Sequence, residues 1–149
     1  MIAEGALDIL CPETGVIRAL RSPDVLQAIL PGAVSAEPLD HGTTRVRIEH
    51  AFGPLPVKVE PVFTLQDVHD ADAWRLTISL RSLMFGTATV RIDLQVQPIR
   101  AGTALRWWLV GIDATGMAGK LLSTRGDRAG EVTGRLFRRL KHHLEAGPA

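Results

Sequence analysis

The sequence predicts a single α+β domain: a strongly curved antiparallel sheet, a long C-terminal helix across it, and an apolar cavity between them. Three observations carry this expectation. Hydrophobic residues follow helical spacing in a short early region, alternate with period two from residue 33 to about 113, and return to helical spacing from about 117 to 146. Turn signals within the period-two stretch are short and regular, which joins successive strands as hairpins. The chain has 149 residues, 46% of them hydrophobic, enough for one continuous core, so residues 1–149 read as one domain.

Residues 5–11 alternate, with Leu7, Ile9 and Cys11 on one side and Asp8 on the other, and form the first strand. Pro12 opens a short helix carrying Val16, Ile17 and Leu20. Ser22-Pro23-Asp24 restarts a second one, with serine as N-cap and proline at the first helical position; Val25, Leu26, Ile29 and Leu30 make its stripe, and Pro31-Gly32 ends it. A weaker segment at 33–39 precedes five strands. In the first, Val46, Ile48, His50 and Phe52 face opposite to Arg45, Arg47 and Glu49. Val57, Val59, Pro61, Phe63 and Leu65 share a face in the next, where Pro61 marks an edge or a bulge. Trp74, Leu76, Ile78 and Leu80 alternate with polar residues, as do Val90, Ile92, Leu94 and Val96, and Ala101-Gly102 turns the chain into residues 103–113.

In the last segment Leu122, Ala129, Thr133, Leu136, Phe137, Leu140 and Leu144 fall in one arc of a helical wheel, opposite Arg128, Arg135, Arg138 and Arg139. Gly126, Gly130 and Gly134 lie on or beside the buried arc. Each costs a helix interior about 0.5–1 kcal/mol relative to alanine. Either the helix backbone presses on neighbouring side chains, or the missing side chains leave room for a ligand.

Net charge of +1 exerts no overall pull on nucleic acid, and no aromatic stacking platform accompanies Arg135, Arg138, Arg139 and Lys141. That cluster reads as a solvated helix face, with phosphate or anionic lipid contact as the alternative. The apolar runs are too short to cross a bilayer, and the first ten residues lack the pattern of a signal peptide, so a cytoplasmic protein with no integral membrane segment is expected. Cys11, the only cysteine, reads as a small buried hydrophobe.

The element order resembles the helix-grip fold of the START-like or SRPBCC superfamily. Three segments are similar to the CoxG family of proteins associated with carbon-monoxide dehydrogenase: the run from Ser22-Pro23-Asp24 to Leu30-Pro31-Gly32-Ala33, the Phe52-Gly53-Pro54 turn with the strand after it, and Gly102-Thr103-Ala104-Leu105 followed by Gly116-Met117-Ala118-Gly119-Lys120-Leu121. The resemblance implies a cavity for lipids, sterols, polyketides or other apolar molecules, and a role beside a molybdenum hydroxylase in its maturation or membrane recruitment. Some CoxG proteins carry a C-terminal membrane segment, and anchoring by this chain itself is not expected.

Catalytic motifs are lacking: there is no GxSxG, P-loop, GxGxxG or HExxH, and the histidines have no ligand spacing, so no catalytic residue, metal or cofactor is assigned. Asp67 and Asp113 read as turn carboxylates, and Ser79 and Ser82 have no visible base. His50 occupies an apolar phase, either as a structural histidine with a hydrogen-bond partner or as a cavity group. Trp107 and Trp108 must point to opposite faces of a strand. If Trp108 is the inward one, Arg106, Val110 and Ile112 share its face and Arg106 reaches the cavity margin to meet a ligand carbonyl or carboxylate, or else an acidic side chain.

The candidate ligand wall is therefore His50, Phe52, Trp74, Ile78, Arg106, Trp108, Gly126, Gly130 and Gly134. The leading expectation is binding or carriage of a small hydrophobic molecule such as a lipid, quinone or polyketide, as an accessory factor of a redox enzyme complex. The alternatives are a cavity enzyme of the cyclase, aromatase or hydratase kind, and a protein-interaction module whose cavity is filled by its own side chains. A monomer or small homo-oligomer is expected.

Overall fold

Hydrophobic periodicity translates into eight strands and three helices among the described residues: β1 (Ala3–Ile9), α1 (Glu13–Leu20), α2 (Pro23–Ile29), β2 (Ala33–Pro38), β3 (Thr43–Phe52), β4 (Leu55–Val59), β5 (Val62–Asp67), β6 (Ala73–Ser82), β7 (Gly86–Ile99), β8 (Gly102–Ala114) and α3 (Gly126–Glu145). This computed structural model describes residues 2–52, 55–68, 73–82, 86–116 and 126–146, with the side chains of 50–52, 55–57, 82 and 126–128 outside the description.

The strands form one antiparallel sheet ordered β1-β8-β7-β6-β5-β3-β2, with β4 on the far half of β3. Successive hairpins build it, except that the two short helices carry the chain from β1 to the opposite edge. The first strand is displaced from its expected bounds: Cys11 lies beyond it, in a bend. The expected single strand around Pro61 is two strands. Pro61 has no N–H to give the ladder, the pairing breaks at Glu60-Pro61, and the Pro61 carbonyl accepts from the Val46 amide at 3.0 Å.

Helix boundaries follow local chemistry. Ser22 Oγ accepts from the Val25 amide at 3.3 Å and Pro23 occupies the first turn of α2. Leu30 is already extended and Gly32 takes φ of 77°, so α2 stops there and the Gly32 carbonyl accepts from the Glu49 amide at 2.9 Å. α1 and α2 bury Val16, Ala19, Leu20, Leu26 and Ile29 in the same core as the sheet.

α3 lies along β1 and against α2, and its Leu136, Phe137 and Leu140 are buried. Phe137 stacks on Trp107 with ring centroids 5.8 Å apart. Gly5 makes room for that indole: a Cβ at Gly5 would lie 2.5 Å from it. The end of α3 is fastened to β1 by Lys141 Nζ, which donates to the Asp8 carbonyl at 2.6 Å, and by Glu145, which accepts from the Leu10 amide at 2.9 Å. These bonds occupy backbone groups beside the edge strand β1, where unpaired groups invite association. The architecture is α+β with a helix-grip arrangement. Of the long helix expected from 117 to 146, residues 117–125 lie outside the described residues.

Candidate functional site

Sheet register determines which inner-face residues lie side by side. Leu65, Leu76, Ile92 and Leu109 are neighbours across β5, β6, β7 and β8, and each is buried to 1% exposure or less. The next row, two residues along β5, β6 and β7 and three along β8, is Phe63, Ile78, Val90 and Ile112; Phe63 is buried and the other three are only half-buried. Beyond it, Leu80, Ala88 and Ala114 are adjacent and also half-buried. Burial thus falls in one step while the residues stay apolar and keep facing the helix side. Apolar surface left in water forgoes about 25 cal/mol per Å² of stabilisation. These two rows are the part of the inner face that a bound apolar molecule would cover.

A β-bulge shapes this wall. Arg91 pairs with Gly111 and Ile92 with Leu109, so Val110 is an extra residue. The insertion changes the phase of β8, and Leu109 and Ile112 both face inward. Inward Trp107 is 5% exposed, whereas Trp108 is half-buried on the outer face, with the exposed Arg106 guanidinium 5.2 Å over its ring. The placement of Arg106 and Trp108 at the cavity is therefore corrected: Trp107 shares the phase of Leu105 and Leu109, which the core takes, and its neighbour must point out.

Among the other expected wall residues, Ile78 lies in the half-buried row. Trp74 is on the inner face but at the opposite end of β6, under the Arg21 guanidinium at 5.0 Å. His50 and Phe52 pair in register with Val57 and Leu55, and their side chains are outside the described residues. Gly126 is the first residue of α3, with surroundings likewise outside the description. A Cβ on Gly130 would come within 2.7 Å of Ala3 Cβ, so this glycine is pressed on β1 and faces no open space. At Gly134 the nearest atoms would be Arg138 Nη1 at 3.5 Å and Trp107 Cζ2 at 3.7 Å, ordinary contact. Leu80, Val90 and Ile112 were absent from the expected wall. Alternation marked them as inner-face positions, but only sheet register and packing separate a covered row from an uncovered one.

The outer face is ionic. Arg45 pairs with Glu37, Arg47 with Glu60, Arg75 with Asp93 and Arg91 with Asp113. The Asp93 carboxylate accepts from Arg75 and pushes the guanidinium pKa further up. Burial pushes the Cys11 thiol up, away from a reactive thiolate. Among the described residues no group of three or more His, Cys, Asp or Glu could hold a metal ion, and no helix is long and apolar enough to cross a membrane.

No protein-family model and no curated protein matches the chain. Solved structures share its fold. A conserved protein from Geobacillus kaustophilus superposes with a TM-score of 0.75 at 14% identity, covering 96% of this chain and 94% of that one. A Thermus thermophilus protein gives a TM-score of 0.64 at 18% identity over 99% of both chains. A third, from Arthrobacter aurescens, gives 0.64 at 10% identity over 97% of this chain and 86% of its own. At these identities the likeness concerns the fold alone.

Proposed function

We propose that the protein binds and carries a small hydrophobic molecule on the inner face of the sheet, against Ile78, Leu80, Val90 and Ile112. The observation that carries this reading is the step in burial: apolar inner-face rows that leave the fully buried core within two or three residues on three adjacent strands. Pockets for apolar ligands are lined mainly by such side chains. The similarity of the Ser22 to Ala33 segment and its companions to the CoxG family supports a more specific role, as accessory factor to a molybdenum hydroxylase such as carbon-monoxide dehydrogenase.

Native mass spectrometry of freshly purified protein tests carriage, together with titration by the neutral dye Nile red. Saturable, stoichiometric dye binding is expected, lost in Val90→Asp while the variant still melts cooperatively. Unsaturable fluorescence from a folded wild type with no retained mass would overturn the reading and favour an interaction module with a filled core. For the accessory role, co-purification with a molybdenum hydroxylase from the native host is the expected result.

A further inference from the structure

The geometry points to a second binding site, for an organic anion with a flat apolar body, in the cleft between α1 and the start of β6. This cleft of ≈ 370 Å³ is lined by Glu13, Thr14, Ile17, Arg18, Arg21 and Trp74. It is separate from the half-buried rows. Trp74 precedes Ile78, the nearest residue of those rows on β6, by four residues, about 13 Å at strand rise.

Arg18 and Arg21 are three residues apart at the end of α1, a spacing that puts them on one side of the helix. Arg18 is exposed and forms no ion pair among the described residues. Arg21 is held in place: its guanidinium lies 5.0 Å over the Trp74 ring, and its Nη2 donates to the Leu65 carbonyl at 3.3 Å. A guanidinium has five N–H donors in a fixed plane. One of them is used here, and stacking orients the rest before any ligand arrives, which suits a carboxylate or phosphate oxygen pair.

The half-buried Trp74 indole and Ile17 supply the apolar wall for the body of the ligand. Glu13, which already has an interaction partner, sets a negative limit on the cleft. A ligand with one anionic head at the arginines and an uncharged remainder fits that arrangement. Docking of α1 on the sheet accounts for Arg21 stacking, and Arg18, in the last turn of the same helix and in no ion pair among the described residues, brings a second guanidinium to the cleft.

Isothermal titration of the full chain at low ionic strength tests the site, with 2-naphthoate as carboxylate probe and inorganic pyrophosphate as phosphate probe. One-to-one saturable binding of at least one probe is expected, weakened about tenfold or more in Arg21→Gln and in Arg18→Gln, the loss of a charge-assisted hydrogen bond. Arg100→Gln, in the β7–β8 turn, should bind as wild type does. Binding of naphthoate alone assigns a carboxylate on a flat body, and comparable binding of pyrophosphate assigns a phosphate head. Should Arg21→Gln lose its cooperative melt, Arg18→Gln carries the comparison, because its side chain is exposed. No saturable heat with either probe would overturn the site, as would unchanged affinity in Arg18→Gln or loss of naphthoate binding in Val90→Asp. Nile red binding should be the same in both arginine variants, so failure of this site and failure of the carrier reading are separate results.

Discussion

Alanine at Gly134 and at Gly130 makes the same chemical change one turn apart in α3, and the two substitutions should move stability in opposite directions. Both remove a helix-interior glycine, worth about 0.8–1.0 kcal/mol in propensity. At Gly134 the new methyl meets Arg138 Nη1 at 3.5 Å and Trp107 Cζ2 at 3.7 Å, contacts that need no adjustment. The gain should appear nearly whole. At Gly130 the methyl would stand 2.7 Å from Ala3 Cβ, against an optimum of about 3.5–4.0 Å for two carbons, so α3 and β1 must part by about 1 Å. Overpacking of that kind costs about 1–3 kcal/mol.

The net expectation for Gly130→Ala is destabilisation by about 0–2 kcal/mol, against stabilisation of up to about 1 kcal/mol for Gly134→Ala. Urea unfolding followed by circular dichroism measures both, and melting should shift by about 2–4 °C per kcal/mol in a domain of this size. A double-mutant cycle isolates the cause. Ala3→Gly removes the methyl that Gly130→Ala strikes, so the pair should be more stable than the two single losses add up to. Equal stabilisation by the two alanines, or strict additivity in the cycle, would refute the close packing of α3 on β1.

Two further outcomes test the fastening of α3. The hydrogen bonds from Lys141 and from the Leu10 amide hold the Glu145 carboxyl below its ordinary range, so its contribution is present above the unfolded carboxyl pKa and fades as pH falls through the lower folded value. The melting difference between wild type and Glu145→Gln should accordingly be largest near neutral pH and close in acid; a difference independent of pH would contradict the ionic clasp. Phe137→Ala removes a fully buried ring stacked on Trp107 and should cost about 3–5 kcal/mol. Tryptophan emission should shift to the red in the same variant as water reaches Trp107.

Much of this fold is legible in the sequence because its elements are locally consistent. Val90, Ile92, Leu94 and Val96 alternate strictly and form the inner face of β7, and Ser22-Pro23-Asp24 begins a helix at its expected place. Where the signal divides, only packing resolves it. In β8, Leu105 and Leu109 argue for one face and Val110 and Ile112 for the other; the bulge at Val110 changes phase so that Leu109 and Ile112 both face inward while Val110 stays exposed, and no property of a single strand announces it. Gly130 gave two readings for a similar reason. A glycine leaves space and permits close approach, and the difference is decided by Ala3, which is remote in sequence. Arg21 lies at a helix end and Trp74 at a strand start, so their contact depends on how α1 is laid on the sheet.

The attachments of α3 are concentrated at one end of the sheet. Phe137 on Trp107, Gly130 on Ala3, Lys141 on Asp8 and Glu145 on Leu10 all bind the helix to β1 and β8, over the rows whose side chains are fully buried. In that region every inner-face position contributes to stability, and enlargement is resisted by dense packing. Two residues further along β6 and β7, and three along β8 past the bulge, Ile78, Val90 and Ile112 are only half-buried at the margin of the core, and the fold tolerates their incomplete burial because the other end already supplies the cooperative core. A site placed on weakly covered rows gains the most from a ligand, since the apolar area the ligand removes from water has not been removed by folding. In the proposed carrier, the same asymmetry would let ligand affinity change by substitution at Ile78, Leu80, Val90 and Ile112, at a cost below the about 2–5 kcal/mol typical of truncating a fully buried aliphatic side chain.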